Sequence, residues 1–387
     1  MIQHKSITFI IVFFSLLCGC SEKKHTERTT EYHVTEVWPV FRSDFNLSGV
    51  TDAQLPDTMK SLWSFKTGGP VISSPVIGFR TVYIGSTDGK VYAIGLRDGK
   101  KTWEFDTGDD IEASPMLLDQ TIYIGNLRGN FFALDAQTGR ARWTYKIDGD
   151  IMGSANWVNV PGSPKNLVLV GSYDTKMYCF ESDTGNLKWT YETNYYINGA
   201  PATDGHNVVF GGCDEQLHIL SAMDGTKKGE VWAGSYIAGS AALVDNRAYV
   251  GHYGGKLVCI DVVDRKIVWE YGDKEGGSEF FSSPAVGKDK VLIGSRDNFL
   301  HCVDRKTGQM IWKFQTRGEV DSSPVIVNDK VVFGSSDGRF YMVTLEDGKE
   351  VWSYEIGSSI TGSPAVIDGM IVIGAEDGRV YAFGDGT

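Results

Sequence analysis

Short runs of β-branched and aromatic residues, separated by turn residues, make up most of this chain. In one typical stretch the runs cover 320–327, 330–334, 339–343 and 349–354. Asp337-Gly338 and Asp347-Gly348 separate the later runs, and an Asp-Gly pair supplies the positive φ that a tight hairpin requires. No stretch beyond the N-terminal region shows a sustained helical period. The pattern predicts an all-β fold built from four-stranded antiparallel units.

The unit recurs eight times, usually at a spacing of 40 residues, as from Pro75 to Pro115. A proline that follows Ser or Ala stands near the start of six copies, and Ala155 and Ala241 replace it in the other two. A second column holds tryptophan: Trp63, Trp103, Trp143, Trp189, Trp269, Trp312 and Trp352. We interpret Trp232 as a further member displaced by three residues, because Gly229 stands at the expected position, and we expect a bulge or register shift there.

Four-stranded units at this period are typical of β-propeller blades, whereas the coils of a β-solenoid are shorter. The first tryptophan run, 62–67, precedes the first copy, and the last copy, 360–383, has three runs and no tryptophan run after them. We therefore predict an eight-bladed propeller over 57–387, closed when the Trp63 strand completes the last blade. An insertion around 160–164 in the third copy is expected to be a loop.

The first residues have the features of an export signal. Lys5 precedes an apolar run over 7–17 that is too short to span a bilayer comfortably. The run ends in Leu17-Cys18-Gly19-Cys20, which resembles the bacterial lipobox. The resemblance implies a lipoprotein signal peptide over 1–19 and a diacylated Cys20, with an ordinary cleaved signal as the alternative. Because Ser21 rather than Asp follows Cys20, we expect the protein to be held at the outer membrane and to face the periplasm. Residues 20–36 are expected to be a flexible tether.

Charge and cysteine usage narrow the possible partners and bonds. The formal net charge of −12 and the pI of about 5.1 argue against nucleic acid as a partner, because phosphate binding requires clustered Lys and Arg. Cys179, Cys259 and Cys302 occupy one equivalent position in three copies, where Ala133 stands in another. We therefore predict buried thiols rather than disulfides, since equivalent points of different blades lie too far apart for a bond.

The stretch Ala133-Leu-Asp-Ala-Gln-Thr-Gly-Arg-Ala-Arg-Trp143 resembles the docking motif of pyrroloquinoline-quinone (PQQ) repeat propellers, and partial copies recur along the chain. The resemblance implies that the tryptophan rings pack between neighbouring blades, a structural role that does not itself bind the quinone. Trp38-Pro-Val-Phe-Arg42 is similar to the segment that opens many of these proteins. Residues 37–56 are therefore expected to form a clasp against the propeller.

Two families with this architecture imply different functions. Quinoprotein dehydrogenases need a calcium or lanthanide site beside PQQ, a catalytic Asp and a vicinal Cys-Cys pair; they are far longer, and this sequence has no such pair. BamB-type lipoproteins dock on the periplasmic domains of the outer-membrane β-barrel assembly machine. The sequence favours a lipid-anchored, non-catalytic scaffold without cofactor or metal, a monomer within a complex, with a barrel-assembly protein as expected partner. The alternative is a binding or redox module for PQQ, a sugar or a metal ion.

The candidate partner-binding face is formed by loops between blades and by turns between second and third strands. Aromatic residues mixed with charge are typical of protein interfaces, although ordinary solvated loops have a similar composition. The candidate face residues are Tyr195, Tyr196, Tyr236, Tyr253, Phe280, Arg128 and Arg296. At the mouth of the central channel we expect Glu112, Asn198, Phe281 and Asp321, of which Glu112 and Asp321 could share a cation. His218 and His301 stand where tyrosine occurs in other copies, so packing explains them.

Overall fold

The computed structural model describes residues 36–159, 165–272 and 277–386. The predicted signal peptide, Cys20 and the tether up to residue 35 lie outside these ranges, as does the insertion at 160–164. Within the described ranges, no helix has both the length and the apolar character needed to cross a membrane.

The described residues form eight antiparallel blades of four strands, which confirms the predicted eight-bladed propeller. Blade 1 comprises Val76–Gly78, Thr81–Gly85, Lys90–Gly95 and Lys101–Asp106; blade 2 comprises Met116–Leu118, Thr121–Gly125, Asn130–Asp135 and Ala141–Lys146. Blade 3 comprises Asn156–Asn159, Asn166–Gly171, Lys176–Glu181 and Leu187–Glu192; blade 4 comprises Ala202–Thr203, Asn207–Gly211, Gln216–Ser221 and Lys227–Trp232. In each blade the first strand borders the central channel, and the strand of the tryptophan column is outermost.

The second half of the ring repeats this plan. Blade 5 comprises Ala242–Val244, Arg247–His252, Lys256–Asp261 and Lys266–Gly272; blade 6 comprises Ala285–Val286, Lys290–Gly294, Phe299–Asp304 and Met310–Gln315. Blade 7 comprises Val325–Val327, Lys330–Gly334, Arg339–Thr344 and Glu350–Glu355, with Val50–Thr51 as a parallel fifth strand beside Val325–Val327. Blade 8 comprises Ala365–Ile367, Met370–Ala375, Arg379–Gly384 and the early strand Lys60–Lys66.

The ring closes as predicted, through the early strand. Lys60–Lys66 pairs antiparallel with Arg379–Gly384, and Trp63 lies opposite Ala382. The channel wall is joined as well, because Ser363 N donates to Ser74 Oγ at 2.8 Å between blades 8 and 1. Equivalent serine bonds join consecutive blades elsewhere, as from Ser74 N to Ser114 Oγ between blades 1 and 2. The joint that closes the ring therefore has the same bond as the joints between blades that follow each other in sequence.

The tryptophan rings pack between blades, as the repeat motif implies. In six joints the indole Nε1 donates to a backbone carbonyl of the next blade, for example from Trp103 to Ala136 O at 3.0 Å. The ring also covers a glycine of that blade: a Cβ added at Gly139 would lie 2.7 Å from the Trp103 ring. Trp352 packs instead against Phe340 and Phe383.

The interpretation of Trp232 as a displaced member of the column is wrong. Gly229 lies opposite Ile219, as Trp189 lies opposite Cys179, and the single bulge of blade 4 is the one that the other outer strands share. Trp232 therefore stands in register at the end of its strand, where it is 60% exposed. The sequence change is a replacement of the docking tryptophan by glycine, without any slip of the strand.

The predicted buried cysteines and histidines are confirmed as packing residues. Cys179, Cys259 and Cys302 are buried free thiols in the third strands of their blades. His218 donates from Nε2 to Asp214 Oδ2 at 3.0 Å, in the place where Tyr92 donates to Asp88 in blade 1. Either side chain can donate to the aspartate of the preceding turn, which explains why histidine replaces tyrosine at this position in some blades.

The clasp crosses one end of the ring and contacts its blades in turn. Backbone bonds join it to the blades through Trp38 (blade 1), Pro39 (blade 2), Phe45 (blade 4), Asn46 (blade 5), Ser48 (blade 6), Gly49 (blade 7) and Gln54 (blade 8). At its centre the buried Arg42 guanidinium donates to Pro284 O at 2.9 Å and Pro324 O at 2.6 Å. Burial lowers the pKa of Arg42 to about 9, against the opposing effect of Asp44. The clasp thus occupies one end of the channel and leaves the loops at the other end uncovered by it.

Candidate functional site

The end of the ring opposite the clasp is built from two kinds of loop, which we call the loop face. It consists of the connections between blades, such as 193–197 and 233–237, and the turns between second and third strands, such as 172–175 and 252–255. Each turn is bonded to the connection beside it; Tyr253 N donates to Tyr236 O at 3.0 Å. This backbone bond brings the side chains of a connection and of its neighbouring turn together, although they are far apart in the sequence.

Five tyrosines of the loop face form a continuous aromatic series, which we call the tyrosine arc. Tyr173 stacks on Tyr196 with ring centroids 4.7 Å apart and an interplanar angle of 5°. Tyr196 contacts Tyr195 at 4.4 Å, and Tyr195 stacks with Tyr236 at 6.5 Å. Tyr236 meets Tyr253 edge-to-face at 6.5 Å. The arc therefore runs from blade 3 across blade 4 to blade 5.

The arc is open to solvent although its rings support one another. Tyr195 is 48% exposed, Tyr196 39%, Tyr236 49% and Tyr253 38%. Tyr173 is more enclosed, and burial raises its pKa to about 12. Large aromatic rings that are exposed yet fixed by stacking are suited to binding, because little side-chain entropy is lost when a partner covers them.

The arc continues into an ion pair on blade 6. Tyr253 meets Phe281 edge-to-face at 6.0 Å, and the Arg296 guanidinium lies 4.3 Å above the Phe281 ring. Arg296 Nη2 donates to Asp321 Oδ2 at 2.9 Å, and Nε donates to Asp321 Oδ1 at 3.1 Å. These bonds to Asp321 raise the pKa of Arg296. Sequence-predicted residues of the face and of the channel mouth thus form one connected surface.

One predicted face residue does not belong to this surface. Phe280 is only 4% exposed and packs in the core with Leu257, Ile293 and Val303. It occupies the column of Ile237 and Val320, whose side chains fill the space between blades. Neighbouring residues of an extended chain point to opposite sides, so Phe281 faces the channel while Phe280 faces the core. Ile237 and Val320 hold the equivalent position in their copies, and this repeated apolar position could have revealed from the sequence that Phe280 is buried.

Arg128 lies on the loop face but apart from the aromatic contacts of the arc. It belongs to blade 2, and its Nε lies 2.9 Å from Asp109 Oδ2. Its side chain is largely exposed, so the pair is screened by solvent. Two residues that the candidate list omitted also lie on this face: Trp232, whose Nε1 donates to Glu215 Oε2 at 3.0 Å, and Cys213, whose N–H donates to Tyr196 O.

The four residues expected at the channel mouth line one cavity of about 170 Å³. Burial raises the pKa of the Glu112 carboxyl, and the nearby charges of Asp110 and Asp150 raise it further. Asn198 Nδ2 lies 3.5 Å from Cys213 Sγ, while Asn198 Oδ1 is buried with no hydrogen-bond partner among the described residues. Within the described chain, no group of three or more His, Cys, Asp or Glu residues is arranged to hold a metal ion.

Solved structures share this fold at low sequence identity. BamB from Moraxella catarrhalis has a TM-score of 0.70 and 20% identity, over 84% of this chain and 98% of that one. A europium-containing methanol dehydrogenase has a TM-score of 0.74 and 14% identity, over 90% of this chain and 98% of that one. The computationally designed Ika8 protein has a TM-score of 0.72 and 17% identity, over 84% of this chain and 99% of that one. At these identities the likeness concerns the fold alone, since BamB, a methanol dehydrogenase and a designed protein share it.

Sequence comparison is more specific than the fold. A search of curated proteins gave no match to this sequence. The family model described as outer membrane protein assembly factor BamB matches residues 53–228, 153–275 and 229–387, which together span the whole propeller. The chain therefore belongs to the BamB family of outer membrane protein assembly factors.

Proposed function

We propose that this protein is a non-catalytic scaffold of the cell envelope that binds a protein of the outer-membrane β-barrel assembly machinery. The tyrosine arc is the observation that carries the proposal. Its exposed rings lie on loops that backbone hydrogen bonds join to neighbouring turns, stack on one another and are bordered by charged side chains, which is the composition of protein-binding surfaces. Membership of the BamB family supports a role in barrel assembly.

The binding role is tested by recovering the partner with matched face variants. Tyr196→Ala/Tyr236→Ala removes two exposed rings of the arc, whereas Met223→Ala/Val263→Ala removes two exposed apolar side chains at the other end of the ring. Crosslinked pull-down of the full-length protein from solubilised outer membrane, read by mass spectrometry, should recover a barrel-assembly protein. We expect the tyrosine variant to recover at least about ten-fold less partner, as for interface hot spots. If both variants recovered the same amount of partner, the tyrosine arc would not be the binding surface.

We propose further that Cys20 is diacylated and holds the protein at the outer membrane, facing the periplasm. The lipobox-like Leu17-Cys18-Gly19-Cys20 supports this assignment. Cys20→Ser should move the protein from the membrane fraction to the soluble fraction and abolish labelling with radioactive palmitate. Cys18→Ser is the matched control and should leave both readouts unchanged; the reverse result would reassign the lipidated residue.

A binding or redox module for PQQ, a sugar or a metal ion is the alternative function, because quinoprotein dehydrogenases share the fold. The channel mouth does not fit the quinone: its cavity of about 170 Å³ is smaller than the roughly 300 Å³ at which small-molecule sites begin. Arg296 also neutralises Asp321, one of the two carboxylates at the mouth. Stoichiometric quinone in the purified protein would nevertheless establish the alternative over the scaffold.

A further inference from the structure

The loop face carries more acidic than basic groups, and several of the acidic ones are unpaired. Arg128 pairs with Asp109, and Arg296 pairs with Asp321 and Glu319. Among the described residues, no ion pair is formed by Asp110, Glu112, Asp150 or Glu279. The free protein therefore holds uncompensated negative charge beside its exposed aromatic rings.

These carboxylates lie at both ends of the tyrosine arc. Glu112 and Asp150 are close enough to Tyr173 to raise the pKa of its hydroxyl, in addition to burial. Burial raises the pKa of the Tyr253 hydroxyl at the other end of the arc; Arg296 lowers it, and the unpaired Glu279 raises it. The arc is thus an aromatic surface flanked by acidic groups, a combination that favours cations, since ring faces and carboxylates both attract positive charge.

One cation of the protein itself already shows this mode of binding. The Arg296 guanidinium lies 4.3 Å above the Phe281 ring and is fixed by two nitrogen–oxygen contacts of 2.9 and 3.1 Å to Asp321. The adjoining tyrosines present comparable rings, but no Lys or Arg of the described chain is stacked on them. Beside them, Asn198 Oδ1 is a buried acceptor to which no donor of the described residues is bonded.

We propose that the occupant of the tyrosine arc is an extended protein segment that carries Lys or Arg side chains. Its cations lie over the exposed tyrosine rings and against Glu112 at the channel mouth, and its apolar groups cover the remaining ring surface. An acidic segment would bring like charges together in a partly desolvated site, so the face discriminates against it. This inference rests on the proposed function, because it specifies the chemistry of the partner at the same face.

Site-specific photo-crosslinking identifies the segment directly. In the full-length protein, p-benzoylphenylalanine replaces Tyr236 on the arc or, as the control, Met223 at the clasp end; the crosslinked partner peptide is then sequenced. The expected result is a crosslink from position 236 to a segment with Lys or Arg within a few residues of the attachment point. A crosslink to a neutral or acidic segment overturns this inference alone. The absence of any crosslink at position 236 overturns the proposed face and this inference with it.

A charge variant provides the quantitative test. Glu112→Gln removes one unpaired carboxylate at the arc, and Asp119→Asn removes an exposed carboxylate from a first-to-second strand turn at the clasp end. With the partner recovered by crosslinking, we expect Glu112→Gln to weaken binding about five-fold at about 0.05 M salt and much less at about 0.5 M, because salt screens the interaction. Asp119→Asn should have no effect. Equal affinities of wild type and Glu112→Gln at low salt would contradict the proposal.

Discussion

Glu112 shows at the residue scale how the binding face costs the protein stability. Its carboxyl is half-buried near Asp110 and Asp150, and burial and both charges raise its pKa in the folded protein. In the unfolded chain the pKa is ordinary, so the folded protein binds more protons in the window between the two values. The free energy of unfolding therefore falls as pH rises through that window. A cationic partner would reverse this cost by favouring the ionised carboxylate.

The isosteric variant Glu112→Gln tests this account. At pH 7 it should raise the free energy of unfolding by less than about 1 kcal/mol, since solvent screens a half-exposed carboxylate. At pH 4, below the ordinary pKa, the carboxyl is largely protonated in both states and the stability of the variant should approach that of wild type. Thermal unfolding at the two pH values measures the difference. A variant less stable than wild type at pH 7 would show that Glu112 stabilises the fold.

At the scale of elements, the joint between blades 4 and 5 differs from the other tryptophan joints because glycine replaces the tryptophan and arginine replaces the glycine that the ring would cover. The outer strand of blade 4 carries Gly229 in place of tryptophan, and the turn of blade 5 carries Arg265 in place of the glycine found at Gly225. A Cβ at Gly229 would lie 2.7 Å from Arg265 Cδ, so the arginine side chain covers the strand. Arg265 also has a φ of 56°, a conformation that favours glycine.

A double-mutant cycle tests whether the two positions act as a pair. Gly229→Trp alone should destabilise the protein by about 1–3 kcal/mol, because the new ring overlaps the Arg265 side chain. Adding Arg265→Gly should restore the arrangement of the other joints, with a favourable coupling of about 1–3 kcal/mol in urea unfolding. The control Trp232→Ala should cost less than about 0.5 kcal/mol, because that ring is exposed. Additive effects of the two changes would mean that they do not share the joint.

For the whole molecule, ring closure makes the two ends of the propeller depend on each other. Among the strands that the structure describes, Lys60–Lys66 pairs with Arg379–Gly384 alone, and the Ser363–Ser74 bond closes the channel wall beside it. The clasp adds bonds to blades 1, 2 and 4 to 8 in the same chain. Stability should therefore belong to the ring as one cooperative unit, rather than to separate blades.

Truncation tests this cooperativity. A chain that ends at Gly378 lacks the strand Arg379–Gly384, whereas a chain that ends at Gly384 keeps it. We expect the shorter chain to exchange its amide hydrogens at least about ten-fold faster in blade 4, across the ring, because opening at the joint loosens every blade. The chain that ends at Gly384 should behave like wild type. Faster exchange confined to blades 8 and 1 would show that the blades unfold independently.

The sequence by itself determined the blade, the blade number, the closing strand and the docking role of the tryptophans. The blade and the tryptophan column depend on a pattern that every repeat contains, and the blade number and the closing strand follow from counting the copies and comparing the first with the last. Trp103 and Trp143 could be assigned because each follows its strand and turn within one repeat, although the ring itself packs on the next blade. The family follows from the same repeated pattern.

Only the tertiary structure decided which side chains meet on the loop face. The order of contacts from Tyr173 to Arg296 joins loops of different blades, and their spacing depends on the curvature of the closed ring. It also separated Phe280 from Phe281, since the extended chain that leads into the first strand of blade 6 sends one ring to the core and its neighbour to the channel. Local pattern specifies a blade because its contacts are short in sequence, whereas the binding face consists of contacts between blades, which exist only once the ring has closed.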